Sequence, residues 1–343
     1  MQHFVFYKKE NHLAFTKTRN GETKLGEKIA SISNEKKWQD ELKKSSAKFV
    51  LLGIPESIGV KANFGVAGTE TAWKAFLHSF FNIQSNQFLK GNEILLLGYF
   101  DFSTLQKSIK NKPIEFLRDV VSEIDKHVAE IIEKIVVSGK IPIIIGGGHN
   151  NAYGNIKGAA LGLQQVNKIK VTKINVINID AHTDLRALEG RHSGNGFSYA
   201  MKDGFLDKYG MIGIHENYCT QKMLDYIKQN KNIQVQYFED ILVKEKITLQ
   251  QATSKIIQHT KSNFSGIEID LDAIENTLSS AITPSGFSAN QVRQMLYQIS
   301  QKNKIAYLHI CEGVAESENG QISSTTGKLI SYLVSDFVKA FNV

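Results

Sequence analysis

The chain carries three short stretches in which metal-binding residue types directly follow an apolar run. The stretches are GGGHN at 146–150, DAHTD at 180–184 and DLD at 270–272. Carboxylate oxygens and imidazole nitrogens bind divalent metals, and this mixture suits Mn(II), with Zn, Fe, Ni and Co as alternatives. The candidate metal ligands are His149, Asp180, His182, Asp184, Asp270 and Asp272.

The spacing of these residues predicts that they converge. In extended chain, side chains two positions apart point to the same face, so Asp180, His182 and Asp184 can meet, as can Asp270 and Asp272. Four carboxylates in one cleft repel each other strongly unless cations neutralise them. The set therefore predicts a site for two divalent ions, here two Mn(II).

Each stretch alone has an ordinary structural explanation. A lone DxD is often a turn or a helix cap, and a histidine after GGG is often a hydrogen-bonded turn residue. The GGG run could also cradle a phosphate, but it lacks the GxGxxG and GxxxxGK[ST] orders. The presence of all three stretches, each after an apolar run, favours the metal site.

Apolar runs alternate with helical patterns along the chain, and this alternation must position the ligands. It predicts a single-domain, three-layer α/β/α fold with a mainly parallel sheet of about eight strands. In such sheets, ligands bind beyond the carboxyl ends of the strands. The apolar spacing of 113–140, with proline at its start and glycine near its end, predicts a helix. Strands are predicted at 48–54, 93–100, 141–148, 173–180, 210–214, 232–238, 266–274 and 304–312.

Domain organisation follows from composition. Residues 1–46 are polar and lysine-rich, and we expect an N-terminal extension that packs on the main domain, residues 47–343. No Ser-, Gly- or Pro-rich tract marks a linker between two domains.

Composition and charge narrow the class of protein. The formal net charge is +7 at pH 7, but the lysines are scattered, so nucleic-acid binding is not expected. No secretory signal and no apolar run of membrane-spanning length is present, and Cys219 and Cys311 have no metal spacing. We expect a cytoplasmic protein with a small-molecule substrate, and a homo-oligomer stays open.

In combination, GGGHN, DAHTD and DLD resemble the motifs of the arginase, or ureohydrolase, family of binuclear manganese hydrolases. The resemblance implies an arginase-like fold and a water-derived hydroxide that attacks an amidine or guanidine carbon. It implies catalytic roles for Asp184, which holds the proton of that hydroxide, and for Glu312 in LHICEGVAE, which binds the amidinium nitrogens. An exposed charge at a strand end is the alternative for Glu312. The resemblance assigns one metal to His149, Asp180, Asp184 and Asp270, and the other to Asp180, His182, Asp270 and Asp272.

Three positions resemble the formimidoylglutamase branch more than arginases. Gly148 stands where arginases have aspartate, Phe197 falls where they have a histidine, and Arg186 follows DAHTD as DLR. A guanidinium there suits a substrate carboxylate. The expected reaction is hydrolysis of N-formimino-L-glutamate to L-glutamate and formamide. The expected substrate-binding residues are Arg186, Arg191, His192, Ser193, Asn195 and Glu312.

The match to this branch is incomplete. Asn150 and Trp73 depart from its pattern, and SGNGF replaces SGTPF. His192 is either a local proton donor or a solvent-facing loop residue. Two alternatives remain: an agmatinase or guanidino-acid hydrolase that releases urea, and a non-catalytic metal-binding member of the family.

Overall fold

A single mainly parallel sheet runs through the molecule. The computed structural model describes residues 2–341; residue 1 and residues 342–343, which begin the expected extension and end the expected main domain, lie outside the described residues. The sheet has ten strands in the order β1-β4-β3-β5-β10-β9-β6-β7-β8, with β2 paired to β4. The strands are β1 Phe4–Phe6, β2 Ala30–Ser31, β3 Phe49–Gly53, β4 Ile94–Phe100, β5 Ile141–Ile145, β6 Ile174–Ile179, β7 Leu206–Ile214, β8 Ile233–Tyr237, β9 Phe264–Asp270 and β10 Lys304–Cys311.

The α/β class and the parallel sheet are confirmed. The strands β3 to β10 are the eight that the apolar runs predict. The two further strands come from residues 1–46: β1 pairs antiparallel with β4, and β2 pairs parallel with it. This segment therefore covers the edge of the sheet with main-chain hydrogen bonds as well as packing on the domain. The boundary at residue 46 remains a prediction.

Helices cover both faces of the sheet. Successive strand residues alternate between two apolar cores: Val50 and Leu52 belong to the core under α7 and α8, whereas Phe49 and Leu51 belong to the core under α5, α13 and α14. The helices are α1 Lys9–Phe15, α2 Leu25–Lys28, α3 Trp38–Lys44, α4 Ile58–Lys61, α5 Ala72–Phe80, α6 Ser103–Ser108, α7 Ile114–Val137, α8 Ala152–Gln165, α9 Gly196–Lys202, α10 Gln221–Gln229, α11 Phe238–Leu242, α12 Leu249–Thr260, α13 Ala289–Lys302 and α14 Thr326–Lys339.

Local sequence signals explain several helix ends. α7 begins after Pro113 and ends before Gly139, whose φ is +79°. The Ser288 side chain accepts a hydrogen bond from the Gln291 amide, and the Gln291 side chain accepts one from the Ser288 amide. α13 therefore begins with the predicted capping box. Among the described residues, no helix combines the length and apolar character needed to cross a membrane.

Four neighbouring strands at the centre of the sheet, β5, β10, β9 and β6, run parallel, so their carboxyl ends lie at one edge. The chain segments that leave these ends carry every candidate ligand. All four strands end earlier than predicted, β5 at Ile145, β6 at Ile179, β9 at Asp270 and β10 at Cys311. The ligands beyond these ends lie in loops and turns outside the sheet, which changes how they converge.

Candidate metal centre

His149 reaches the site from a turn that only glycine forms easily. After β5, Gly146 and Gly147 have φ of +90° and +77°. A Cβ on Gly147 would lie 2.7 Å from the Ile54 carbonyl oxygen, so space as well as conformation requires glycine. His149 then opens a single turn of 3-10 helix that leads into α8, and its ring is 1% exposed.

The first ligand cluster surrounds the His149 ring. Its Nδ1 lies 2.9 Å from Asp184 Oδ2 and 3.3 Å from an oxygen of both Asp180 and Asp270. The ligand atoms of these four residues all lie within 4.8 Å of one another. Burial lowers the pKa of His149, but the electrostatic field of Cys311 and the hydrogen bonds of the three carboxylates outweigh it, and the pKa lies well above its ordinary value.

The second ligand cluster contains Asp180, His182 and Asp272. His182 Nδ1 lies 2.9 Å from Asp272 Oδ2 and 3.7 Å from Asp180 Oδ1. Tyr218 stacks on the His182 ring at 4.7 Å and supports its orientation. Asp180 contributes to both clusters, whereas Asp270, the other expected bridging ligand, is grouped with the first only.

We expected these residues to converge because alternate side chains of an extended chain share one face. This explanation is wrong. Asp184 has φ of +49°, a left-handed conformation in the loop after β6. Asp272 lies in a 3-10 turn, Leu271–Ala273, and the Asp272 amide donates a hydrogen bond to Asp270 Oδ1 at 2.9 Å. The Asp180 carboxylate likewise accepts the His182 amide at 2.6 Å. In each turn, the carboxylate of one candidate ligand accepts a hydrogen bond from the amide two residues later. This bond orients the next candidate ligand.

The donor set fits two divalent cations. Asp272 Oδ1 and Glu312 Oε2 are buried atoms without a hydrogen-bond partner in the described structure, and His149 Nδ1 faces three carboxylates at once. Burying unpaired polar atoms and like charges together is costly, and a bound cation relieves both costs. Two imidazoles with four carboxylates are a donor set for Mn(II) or a neighbouring first-row metal.

A buried network behind His149 was not anticipated from the sequence. His149 Nε2 faces Glu268 Oε2 at 3.6 Å. Glu268 also accepts hydrogen bonds from Tyr307 at 2.7 Å and is 2.6 Å from His309 Nδ1, and all of these side chains are 0–1% exposed. His309 Nε2 lies 3.2 Å from the Gly146 carbonyl oxygen. The signal was present: a charged residue and a histidine inside the otherwise apolar strands GIEID and YLHIC.

Glu56 was also missed, although it holds the GGGHN turn in place. Its carboxylate is fully buried and accepts from the Gly148 amide and from the side chains of Asn150 and Asn151. Its other oxygen accepts from two amides at the start of α4. Glu56 therefore connects the loop between β3 and α4 to the turn that carries His149.

Glu312 closes the site from the end of β10. It is 3% exposed and has φ of +58°, and its Oε1 accepts the His149 amide at 2.7 Å. Burial raises the pKa of Glu312 to about 7 against the opposing effect of the nearby Ser280 side chain and of the His149 amide. Glu312 is thus a buried group whose second oxygen is uncommitted, not an exposed strand-end charge.

A cavity of about 350 Å³ opens over both clusters. Its walls include Asn63, Arg186, Ser193, Tyr218 and Glu312. Arg186 Nη1 donates to Asn63 Oδ1 at 2.5 Å, and the amide of Asn63 donates to Ser193, so one short chain of hydrogen bonds orders the rim. A larger groove of about 900 Å³ shares Arg186, but none of the six candidate metal ligands lines it, so the smaller cavity is the candidate site.

A model of the arginase family matches residues 47–336, most of the chain. The chain belongs to the arginase family. A formimidoylglutamase of Streptococcus pyogenes is 25% identical over 271 residues, 77% of this chain and 76% of that protein. The solved formimidoylglutamase of Bacillus subtilis has a TM-score of 0.72 at 19% identity, over 95% of this chain and 94% of that one. The formiminoglutamase of Trypanosoma cruzi, solved with Mn2+, has a TM-score of 0.70 at 18% identity, over 93% and 98% of the two chains.

Arg191 does not have the position expected of a substrate-binding residue in this arginase-family hydrolase. The described residues that line the cavity do not include it. Arg191 is 4% exposed, its Nε donates to Asp125 at 2.8 Å, and its Nη2 donates to the Asn150 carbonyl at 2.8 Å. The guanidinium is also stacked between Tyr153 and Tyr199. A buried cation so fully engaged holds the loop against α7 and α8 and has no group free for substrate.

His192 and Asn195 are also absent from the described residues that line the cavity. His192 is fully buried, its Nδ1 accepts the Gly194 amide, and burial together with the charge of Arg118 lowers its pKa to about 4. Asn195 donates to the carbonyls of Ala187 and Gly190. Both side chains brace the loop that presents Arg186 and Ser193, and His192 is not the solvent-facing residue considered for it.

Phe197 shows why the usual arginase histidine has no counterpart at this position. Its ring is fully buried, packs edge-on against His149 at 5.1 Å, and stacks on Tyr209 at 4.4 Å. It supports the ring of a candidate metal ligand, and the described residues that line the cavity do not include it. Both cysteines are free: Cys311 is buried beside His149 and Asp270, and Cys219 is partly exposed.

Proposed function

We propose that this chain is a binuclear-metal hydrolase of linear amidines whose substrate is N-formimino-L-glutamate. The observation that carries the proposal is the Arg186 guanidinium at the rim of the cavity that holds both ligand clusters. A cation there complements a substrate carboxylate, and agmatine has none. The relatives in the formimidoylglutamase branch support the same substrate class.

The proposed metal ligands divide between two ions. One ion would be held by His149, Asp180, Asp184 and Asp270, and the other by Asp180, His182, Asp270 and Asp272. Bound divalent cations would lower the pKa of water and polarise the amidine.

The chain's own side chains account for the remaining steps. Asp184, the most solvent-accessible carboxylate of the first cluster, would hold the proton of the attacking water. The uncommitted Oε2 of Glu312 would accept an amidinium N–H, and Arg186, oriented by Asn63, would bind a glutamate carboxylate. Water adds to the formimino carbon, the bond from that carbon to the glutamate nitrogen breaks, and the nitrogen takes the proton, which yields L-glutamate and formamide.

The guanidino-hydrolase alternative is kept because Glu312 and the ligand clusters suit an amidine and a guanidine equally. The test is a substrate panel on Mn-loaded protein: formimidoylglutamate, agmatine and a guanidino acid. We expect formamide and glutamate from the first substrate and little urea from the others. Urea release from agmatine as the fastest reaction would replace the proposal with the alternative.

Metal analysis tests the binuclear part separately. We expect two Mn(II) ions per chain, and we expect Asp180→Ala or Asp270→Ala to lose both. Full activity with a single ion would contradict the binuclear site. Two bound ions without turnover of any substrate would favour the non-catalytic alternative.

A further inference from the structure

Another group of metal-type ligands lies beside the carboxyl end of β4, where β1 begins, and none of its residues lines the cavity. The group, called the His3 cluster, consists of His3, Glu123 and His127. His3 precedes β1, whereas Glu123 and His127 are four residues apart on α7 and so share one helix face. The cluster therefore joins the N-terminal segment to the longest helix of the main domain.

The geometry of the cluster is close to that of a metal site. One ligand atom from each residue lies within 4.8 Å of the others. His127 Nε2 lies 3.8 Å from Glu123 Oε1, and the rings of His3 and His127 meet edge-on at 5.2 Å. Zinc–nitrogen and zinc–oxygen distances are about 2.0–2.2 Å. Small rotations of the two partly exposed helix side chains would bring the three atoms to such distances.

The ligand atoms are not engaged by other groups. His3 Nε2 is buried and has no hydrogen-bond partner in the described structure. Among the described residues, the ion pair between His127 and Glu123 is the only one that either side chain forms, and the Glu130 carboxylate acts on His127 from the next turn of α7. Leaving a buried ring nitrogen unpaired has a free-energy cost that a bound cation would remove.

The backbone also holds His3 in an unusual conformation. Its φ is +65°, which is uncommon for a residue with a side chain. The His3 carbonyl accepts the Asp101 amide at 2.7 Å, so the sheet edge fixes this residue while its ring turns towards α7 and Phe102. A left-handed residue outside a glycine turn, with an unpaired ring nitrogen, indicates a requirement beyond strand pairing.

We propose that the His3 cluster binds a Zn(II)-type ion through two imidazoles and one carboxylate, with water in the fourth position. Two nitrogens and one oxygen suit zinc and its neighbours cobalt and nickel, and the 46% exposed side chain of Glu123 leaves that position open to solvent. The ion links the N-terminal segment to α7. Its effect is on the attachment of β1 to the sheet, and it has no part in hydrolysis.

The test compares zinc stoichiometry in the full-length parent and in the Glu123→Gln/His127→Gln double variant. Both proteins keep all ligands of the candidate catalytic centre, so the difference between them isolates the His3 cluster. We expect the parent to bind one Zn(II) more per chain than the double variant, and His3→Gln to show the same loss. His78→Gln, which removes an exposed histidine from another helix, is the matched control and should bind as the parent does.

A local measurement separates a metal link from adventitious binding. Hydrogen exchange of the β1 amides, Phe4–Phe6, should slow when Zn(II) is added to the parent and should not respond in the double variant. Zinc bound at the catalytic centre cannot produce this difference, because both proteins bind it there. Equal stoichiometry in parent and variants, or β1 exchange that does not respond to Zn(II), would overturn the proposal and leave the cluster as aromatic packing.

Discussion

Asp184 and Glu312 both have left-handed backbone conformations although neither is glycine, with φ of +49° and +58°. Each such residue costs on the order of 1–3 kcal/mol and persists only where its surroundings enforce it. Both carboxylates line the cavity, and Glu312 is held by the His149 amide. Both residues to which we assign proton transfer and amidinium binding therefore carry backbone strain.

Substitution of Arg186 is the most direct test of the proposed substrate. Its guanidinium is solvent-exposed at the cavity rim, so water and salt weaken its pairing with a carboxylate. We expect Arg186→Ala to lower kcat/KM for formimidoylglutamate roughly 5- to 30-fold, a loss of about 1–2 kcal/mol in transition-state binding. Metal content should not change. Steady-state kinetics and metal analysis measure the two quantities.

Arg186→Lys provides the control for this experiment. It keeps the charge but loses the two-pronged geometry, so we expect an intermediate loss. An alanine variant that hydrolyses formimidoylglutamate as fast as the parent would show that Arg186 does not select the substrate.

Glu268 should act on the metal centre through His149. The carboxylate faces His149 Nε2 and is itself held by His309 and Tyr307. Carboxylates behind a ligating imidazole orient the ring and strengthen its basicity, and their loss typically costs 10- to 100-fold in metal affinity. We expect Glu268→Gln to lose about that much Mn(II) affinity by calorimetric titration.

Tyr307→Phe is the matched variant, because it removes one hydrogen bond to Glu268 and leaves the carboxylate in place. We expect a smaller loss of Mn(II) affinity. If Glu268→Gln binds Mn(II) as the parent does, the network serves only to fill the core.

At the scale of elements, the turn between β5 and α8 decides where His149 stands. Gly139 and Gly147 have nearly the same left-handed φ, +79° and +77°. A Cβ on Gly139 meets nothing within 4 Å, whereas one on Gly147 lies 2.5 Å from Asn151 Nδ2 and 2.7 Å from the Ile54 carbonyl. The two positions therefore separate backbone strain from steric conflict.

We expect Gly139→Ala to lower the free energy of unfolding by about 1 kcal/mol through backbone strain alone. Gly147→Ala should lower the free energy of unfolding further, because the backbone at Ile54, just after β3, must move. It should also weaken Mn(II) binding by displacing His149. Urea unfolding and metal titration check both. Equal stability losses in the two variants, with metal affinity intact, would mean that the turn adapts.

At the scale of the whole molecule, attachment of the N-terminal segment should be sensitive to acid. His12 on α1 is fully buried and its ring packs on Phe81 at 5.5 Å. Burial, together with the charge of Lys9, lowers its pKa from 6.5 to about 4. As pH falls below 6.5 the unfolded chain takes up this proton first, so the contribution to stability is complete above 6.5 and is lost towards pH 4.

We expect this loss to be on the order of 2 kcal/mol. His12→Phe keeps an aromatic ring in the core and should make the unfolding free energy less dependent on pH between 4 and 6.5. Urea unfolding at a series of pH values measures the difference, with His78→Gln as an exposed control. A parent and a His12→Phe variant with parallel pH profiles would contradict the assignment to His12.

The sequence alone determined the fold class, the eight main strands and the set of candidate ligands. Apolar runs and helical spacing are local properties, and GGGHN, DAHTD and DLD are contiguous, so each can be recognised without knowledge of its neighbours. The carboxyl ends of parallel strands lie together in any such sheet, which made the common location of the ligands predictable.

Only the tertiary structure decided which residues behind and around the ligands take part. Glu56, Glu268 and His309 are distant in sequence from the His149 turn, and only the strand order β3-β5-β10-β9 brings them beside it. Arg186 and Arg191 both follow DAHTD on the same loop, yet Arg191 is buried on Asp125 and Arg186 lines the cavity. The direction of a loop side chain depends on what the loop packs against, and this information lies in the rest of the fold.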